Sequence, residues 1–218
     1  MRFLRLLLIT LGFVSSTALA SPAALKEGAE FISLKNPQAT QATGKKIEII
    51  EFFMYHCPAC NALEPTINEW VKKQGDNIVF RRIHLPLTGE KDPEAHLFLT
   101  LEAMNLEASL HAKILATWHV ERGRLTSDDD NTAWAVKNGL DKAKFLSFYN
   151  SFSVMGKLKS LGKLVASYQV DSTPTFIVDG RFLTNPSMIG GANPNIPREQ
   201  LGLATMQVLE GLMAKSKK

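Results

Sequence analysis

The sequence predicts an α/β fold in which a βαβ half and a ββα half are separated by a block of helices. Residues 47–54 form a near-continuous β-branched and aromatic run, which is typical of a central strand buried on both faces. Residues 92–168 show helical spacing of apolar residues. Strand-type residues return at 173–178, and the pair Asp179-Gly180 then favours a tight hairpin.

The first twenty residues predict a secretory signal peptide that is not part of the fold. Residues 1–5 are a basic start, residues 6–14 form a short apolar run, and residues 18–20 are a small-residue cleavage pattern. The apolar run is too short for a membrane-spanning helix, which needs about 20 apolar residues. We therefore expect cleavage after Ala20 and export of the mature chain.

Length and charge agree with one domain, or with one domain that carries a large insertion. Hydrophobic residues make up 45% of the 218-residue chain, which is enough for a core. The net charge of +4 includes two arginines in the signal peptide, so the mature chain carries +2. An excess this small, without clustering, does not predict a nucleic-acid partner. No feature requires an assembly larger than a monomer.

The first half of the mature chain is predicted to form two strands, a helix and a third strand. A short strand is expected at 28–34 and a buried one at 47–54. A helix follows from Pro58. Its apolar residues recur at helical spacing, at Leu63, Ile67, Trp70 and Val71. A turn at 75–77 then leads into a strand at 78–85, which completes a βαβ unit.

The second half is predicted to form the helical block, the hairpin and a last helix. After the hairpin, a loop containing Gly190-Gly191 is expected to precede a helix with Pro197 in its first turn. The predicted boundaries are 21–91 and 169–218 for the α/β domain, and 92–168 for the helical subdomain.

Both cysteines of the chain lie in one motif, Cys57-Pro58-Ala59-Cys60, where a strand meets a helix. A disulfide across two residues closes almost no loop, so it stabilises a fold little. The first cysteine lies at a helix N-terminus, where unpaired N–H groups and the helix dipole favour the nucleophilic thiolate. Pro58 fits the first helical turn, and Cys60 is expected to be more buried and to act as the resolving thiol. Stabilising the reduced form makes such a disulfide a better oxidant.

A zinc site is the alternative use of this motif. Two sulfurs and two nitrogens are available, from Cys57, Cys60, His56 and His84. A structural zinc site normally needs a second closely spaced pair of ligands, which the sequence lacks. Haem attachment is excluded because Asn61, not a histidine, follows Cys60. We therefore expect no metal.

Three parts of the chain together resemble the DsbA family of periplasmic disulfide oxidases: residues 51–60 (EFFMYHCPAC), the helical block, and residues 173–176 (TPTF). The resemblance implies a thioredoxin fold with a helical insertion. It also implies a periplasmic enzyme that passes its Cys57–Cys60 disulfide to unfolded or reduced exported proteins, with no further cofactor. A membrane quinone reductase of the DsbB type is the implied partner for reoxidation.

The family resemblance also assigns roles to residues around the motif. Period two predicts that Glu51 is buried in an apolar layer, and the family has a proton-relaying acid there. The family has a lysine at the position of Arg82, but alternation does not decide between Arg81 and Arg82, and a solvated arginine is the alternative. The family has a cis proline at Pro174, which turns the Thr173 backbone towards a substrate strand.

Ala59 departs from the family pattern, in which a histidine commonly lies between the proline and the second cysteine. Because that histidine helps to hold the thiolate, its absence predicts a weaker oxidant than the strongest family members. His56, just before Cys57, is either a substitute for it or an incidental surface histidine.

Two other functions remain open from the sequence. One is a disulfide isomerase or reductase of the same fold. Isomerases usually bring an N-terminal dimerisation domain, for which residues 21–30 leave no room. The other is a binding or chaperone module whose disulfide is only structural, which predicts that a Cys57→Ser variant keeps full activity.

Overall fold

The computed structural model describes residues 25–217, and the predicted signal peptide at 1–20 lies outside them. The strands and helices are β1 (Ile32–Ser33), β2 (Ile47–Phe53), α1 (Pro58–Gln74), β3 (Ile78–His84), α2 (Pro93–Ala103), α3 (Glu107–His119), α4 (Asp128–Lys137), α5 (Lys142–Tyr149), α6 (Phe152–Ser167), β4 (Thr175–Val178), β5 (Phe182–Thr184), α7 (Pro186–Ala192) and α8 (Leu201–Ser216).

A mixed sheet with the strand order β1-β5-β4-β2-β3 forms the centre of the molecule. β2 pairs in parallel with β3 and antiparallel with β4, and all seven of its residues are buried. The register sets Glu51 beside Arg82 on one side and beside Phe176 on the other. The predicted central strand and the βαβ unit are therefore confirmed.

Helices cover both faces of this sheet, and each face has its own apolar core. On one face, Ile49 of β2 belongs to a cluster with Ile67 of α1 and Leu209 of α8. On the other face, Ile50 belongs to a cluster with Leu97 and other residues of the helical block. Burying an aliphatic side chain of this size contributes about 1.5–3 kcal/mol. Alternating residues of β2 thus hold the two helical layers against the sheet.

The helices α2–α6 lie between β3 and β4, so the helical insertion predicted as part of the fold class is confirmed. Four of these five helices begin with a side chain that accepts a hydrogen bond from a backbone N–H of the first turn. The capping residues are Asp92, Ser127, Asp141 and Ser151. Each such cap stabilises its helix by about 1 kcal/mol. Within residues 25–217, no helix has both the length and the apolar character needed to cross a membrane.

The predicted Asp179-Gly180 hairpin joins β4 to β5. Both turn residues have positive φ, 55° at Asp179 and 61° at Gly180, as a type I′ turn requires. A Cβ on Gly180 would overlap the carbonyl oxygen of Gln38, so the position also needs glycine for space. β4 begins at Thr175 rather than at 173, because Pro174 has no N–H to donate to a neighbouring strand.

The first strand is shorter than the predicted 28–34. Only Ile32–Ser33 pairs with β5, in antiparallel fashion. Residues 28–30 form a turn, in which Gly28 has a φ of 82°. Glycine adopts this conformation without steric cost, so the turn at Gly28 keeps residues 28–30 out of β1.

The loop predicted around Gly190-Gly191 is instead the short helix α7. The side chain of Asn185 caps it, and Pro186 occupies the first position, where its missing N–H costs nothing. Ile189 is buried and packs α7 beside α8. The two glycines have low helix propensity, which is why composition alone predicted a loop. The cap and the packing of Ile189 together outweigh this low propensity.

Candidate active site

The motif Cys57-Pro58-Ala59-Cys60 begins one turn after the end of β2. Cys57 is the N-cap of α1, and its Sγ accepts a hydrogen bond from the backbone N–H of Cys60 at 3.4 Å. Cys57 is 7% exposed and Cys60 is 2% exposed, whereas Pro58 and Ala59 are exposed. Neither cysteine is in a disulfide, so the structure shows the dithiol form.

The two thiols have opposite acidities. A hydrogen bond from the Cys60 side chain lowers the pKa of Cys57 from 9.0 to about 5, against the opposing effect of burial. Thr173 and the N–H groups of Cys60 and Ala59 act in the same direction. The pKa of Cys60 is raised, because it gives that hydrogen bond, is buried, and lies beside the Cys57 thiolate. Cys57 is therefore the nucleophilic thiolate of the pair, and Cys60 holds a proton.

Thr173 and Pro174 lie opposite the cysteines. The bond between them is cis. Sγ of Cys57 lies 3.6 Å from the carbonyl oxygen of Thr173, and Pro174 is buried. The structure thus brings the loop before β4 into contact with Cys57.

Glu51 lies beneath the motif and is paired with Arg82. Nε of Arg82 donates to Oε2 of Glu51 at 2.9 Å, and its second nitrogen donates to both oxygens of Glu64, at 3.0 and 3.1 Å. Burial raises the pKa of Glu51, and the charge of Arg82 only partly offsets it. Arg81 instead binds Glu48. The structure therefore selects Arg82, not Arg81, as the neighbour of the buried acid.

His56 binds a carboxylate of the helical block. Its Nδ1 is 2.7 Å from Oε1 of Glu94, and its backbone N–H donates to Oε2 of the same residue at 3.0 Å. Its ring lies 5.8 Å from that of Trp118, centroid to centroid. His56 is half-buried, so the carboxylate of Glu94 holds it against α2 and α3, next to Cys57.

The turn before Cys57 is held by two further histidines. The backbone N–H of Tyr55 donates to Nε2 of His84 at 3.3 Å, and its carbonyl accepts from Nε2 of His119 at 2.9 Å. These two histidines and Glu94 come from three different elements, β3, α3 and α2. Together they satisfy the backbone of the turn that positions the first cysteine.

Sequence reasoning missed several residues around the motif. They are Glu64, Glu94, Glu107, His111 and His119. Two signals were available: Glu64 follows Cys60 by one helical turn, and Glu107 and His111 are spaced i,i+4 on one helix face. Glu94 and His119 had no local signal, because their partners at 55 and 56 lie far away in the chain.

The zinc alternative finds no support in the geometry. Within residues 25–217, no three side chains of His, Cys, Asp or Glu converge as metal ligands do. His56 is bound to Glu94, and His84 accepts from the Tyr55 backbone. One ring nitrogen of each of these histidines is thus engaged by another residue.

A thioredoxin-type sheet, a Cys-x-x-Cys motif at a helix N-terminus and a cis proline beside it define the class of thiol–disulfide oxidoreductases. The family model described as Thioredoxin matches residues 42–191. The thiol:disulfide interchange protein DsbA of Burkholderia cepacia is 38% identical over 186 residues, which are 85% of this chain and 88% of that protein. The corresponding protein of Pseudomonas aeruginosa PAO1 is 36% identical over 81% of both chains. The chain belongs to the DsbA family.

Solved structures agree with this assignment. The crystal structure of Pseudomonas aeruginosa DsbA has a TM-score of 0.72 and 34% identity, and covers 88% of this chain and 96% of that one. A variant of the same protein has a TM-score of 0.79 and 30% identity, with 89% and 99% coverage. The predicted fold class and family are confirmed, and the chain is a thiol–disulfide oxidoreductase.

Proposed function

We propose that the oxidised Cys57–Cys60 pair donates its disulfide to reduced, newly exported proteins in the periplasm through a mixed disulfide at Cys57. The observation that carries the proposal is the unequal acidity of the two thiols. The pKa of Cys57 is lowered to about 5, whereas that of Cys60 is raised. A thiolate that is stable at neutral pH is a good leaving group, so the disulfide is readily passed on.

The transfer takes two exchanges. A substrate thiolate attacks Sγ of Cys57, a new S–S bond forms, and Cys60 leaves with the electron pair of the old bond. A second thiolate of the substrate then attacks its own sulfur in the mixed disulfide, and Cys57 leaves as a thiolate. The substrate is oxidised by two electrons and the Cys57–Cys60 pair is reduced by two.

Glu51 and Arg82 are proposed to manage the proton of Cys60. Cys60 leaves as a thiolate but is more stable as a thiol, so it must take up a proton. Glu51 is buried, and its raised pKa makes its carboxyl group a suitable donor. Arg82, at 2.9 Å, then stabilises the carboxylate that remains.

Thr173 and Pro174 are proposed to bind the substrate. The Thr173 carbonyl lies 3.6 Å from Sγ of Cys57, so an extended peptide that pairs with this backbone has its cysteine beside the motif. Reoxidation is assigned to a DsbB-type membrane quinone reductase, which takes the two electrons from the Cys57–Cys60 dithiol. The cycle uses only the two cysteines as its redox group.

Trapping of the intermediate tests this proposal. Reduced Cys60→Ser, mixed with a disulfide-bonded exported protein, should accumulate a mixed disulfide at Cys57, because the Cys60 thiol that would release Cys57 by the reverse of the first exchange is missing. The matched control, Cys57→Ser, should form none under the same conditions. Equal trapping by both variants, or full oxidase activity in Cys57→Ser, contradicts the proposal and favours a structural disulfide.

A further inference from the structure

A buried histidine of the helical block lies against the acids beneath the motif. His111, on α3, has a side chain that is 4% exposed. Its Nε2 is 3.4 Å from Oε2 of Glu64, and its Nδ1 is 2.9 Å from Oε1 of Glu107, one turn earlier on α3. Both ring nitrogens therefore face carboxylate oxygens.

Two facing carboxylates favour the doubly protonated ring. A neutral imidazole has one nitrogen with a free lone pair and no proton, and here that nitrogen would lie within 3.4 Å of a carboxylate oxygen. Within residues 25–217, Nδ1 of His111 and Oε1 of Glu107 have no hydrogen-bond partner, and at 2.9 Å their contact is a close approach of a ring nitrogen to a carboxylate oxygen, which a protonated ring suits best. Burial opposes the charged ring, but Glu107 and Glu64 outweigh it and raise the pKa of His111.

With a charged His111, the cluster contains two cations and three carboxyl groups. Arg82 contacts Glu51 and Glu64 and lies 3.9 Å from Glu107. If Glu51 carries a proton, two positive charges balance two negative ones, which is the arrangement that burial favours. Without His111, Arg82 alone would face the anions of Glu64, which is buried, and Glu107, which is half-buried.

We propose that His111 is a positioning residue: as an imidazolium it keeps Glu64 ionised and so confines the exchangeable proton of the cluster to Glu51. This inference rests on the proposed function, in which Glu51 serves Cys60. When the disulfide breaks, the proton of the Glu51 carboxyl group moves to Sγ of Cys60, and Glu51 becomes a carboxylate. His111 does not touch the sulfur, and its charge stabilises the carboxylate that is left.

The charged and titratable groups around these two residues come from several elements. Glu51 faces Arg82 on β3, Glu64 and Cys60 on α1, and His111 on α3. His111 faces Glu107 on its own helix, Glu64, Arg82, and the ring of Tyr55 at 5.4 Å. Burial and Glu64 raise the pKa of Glu51, while Arg82 and His111 lower it.

The test is the pH dependence of a single turnover between the oxidised protein and a small thiol. The thiol is chosen so that its own pKa lies below the range scanned, and the remaining pH dependence then reports the Glu51 proton. His111→Gln removes a positive charge that lowers the pKa of Glu51. The midpoint of the pH dependence of the rate should therefore move up by about half to one pH unit.

The control variant is His96→Gln. His96 is also a buried histidine of the helical block, but it stacks on Tyr149 at 3.5 Å and does not contact the acids. Its substitution should leave the midpoint in place. A midpoint in His111→Gln that coincides with the one in His96→Gln overturns the inference.

Glu51→Gln separates this inference from the proposed function. The midpoint should vanish in that variant. If it vanishes there but does not move in His111→Gln, the inference about His111 fails while the role of Glu51 stands. If it persists in Glu51→Gln, the proton role of Glu51 fails, and the inference fails with it.

A second measurement needs no substitution at His111. NMR of the imidazole nitrogens of the unsubstituted protein at neutral pH should show both nitrogens of His111 protonated. A neutral ring at that pH overturns the inference, even where His111→Gln does not fold.

Discussion

The two thiols of the motif differ because they occupy different positions at one helix N-terminus. Cys57 is the cap residue, and the N–H of Cys60 points at its sulfur from 3.4 Å. Cys60 lies one turn in, where its S–H donates a hydrogen bond to Cys57 and burial penalises its charged form. The same helix geometry therefore stabilises one thiolate and suppresses the other.

The acidity of Cys57 is directly measurable. The ultraviolet absorbance of the thiolate in the reduced protein should titrate with a pKa of about 5. One thiolate should appear in that range, because Cys60 keeps its proton. Cys57→Ser should lose this transition, whereas a transition near 9 in the unsubstituted protein would contradict the assignment.

Restoring the family histidine should make the protein a stronger oxidant. Ala59 is exposed, so Ala59→His adds a side chain without crowding and places a protonatable ring near the thiolate. The equilibrium constant for reduction, measured in a glutathione redox buffer, should shift towards the reduced form by roughly 5- to 10-fold. Ala59→Gln is the uncharged control. Equal shifts in both variants would show that charge is not the cause.

Turns and short helices position the strands and the loop that surround the motif. β4 carries the cis proline loop at one end and the Asp179-Gly180 turn at the other. The turn fixes where β5 pairs, and through it the register of the small edge strand β1. α7 was not predicted because the burial of Ile189 depends on the contact with α8, which no local pattern reveals, although Asn185 and Pro186 are a local helix-start signal.

Gly180→Ala should destabilise the protein by about 1–3 kcal/mol, because a Cβ meets the Gln38 carbonyl and the positive φ of 61° becomes strained. Urea unfolding measures the loss. Gly156→Ala is the matched control, since it lies inside α6 with open space around a Cβ. That variant should gain about 0.5–1 kcal/mol. Equal stability of the two variants would refute the role given to the turn.

The redox state and the stability of the molecule are linked through pH. The folded pKa of Cys57 is about 5 against an ordinary 9.0, so its contribution to stability is present above pH 9.0 and is lost as pH falls towards 5. The unfolding free energy of the reduced protein, relative to the oxidised one, should therefore fall over this range. The raised pKa of His111 acts in the opposite sense but in both redox forms. A pH-independent difference would contradict this linkage.

Much of the site could be predicted from local sequence patterns, and the rest depends on the assembled fold. Period two was enough to bury Glu51, and a cysteine pair at a strand–helix junction was enough to locate the motif. The choice of Arg82 over Arg81 required the register of β2 and β3. Glu94 and His119 needed the packing of the helical block against the sheet, which brings distant segments together.

The equilibrium of the purified protein, prepared without the predicted signal peptide, with a glutathione redox buffer tests the central claim most directly. Tryptophan fluorescence can report the fraction reduced, since the chain has three tryptophans. We expect a mildly reducing buffer to reduce Cys57–Cys60, because the stabilised Cys57 thiolate favours the dithiol form. A disulfide that persists until the buffer is strongly reducing would instead mark a structural bridge or the dithiol of a reductase, and would contradict the account.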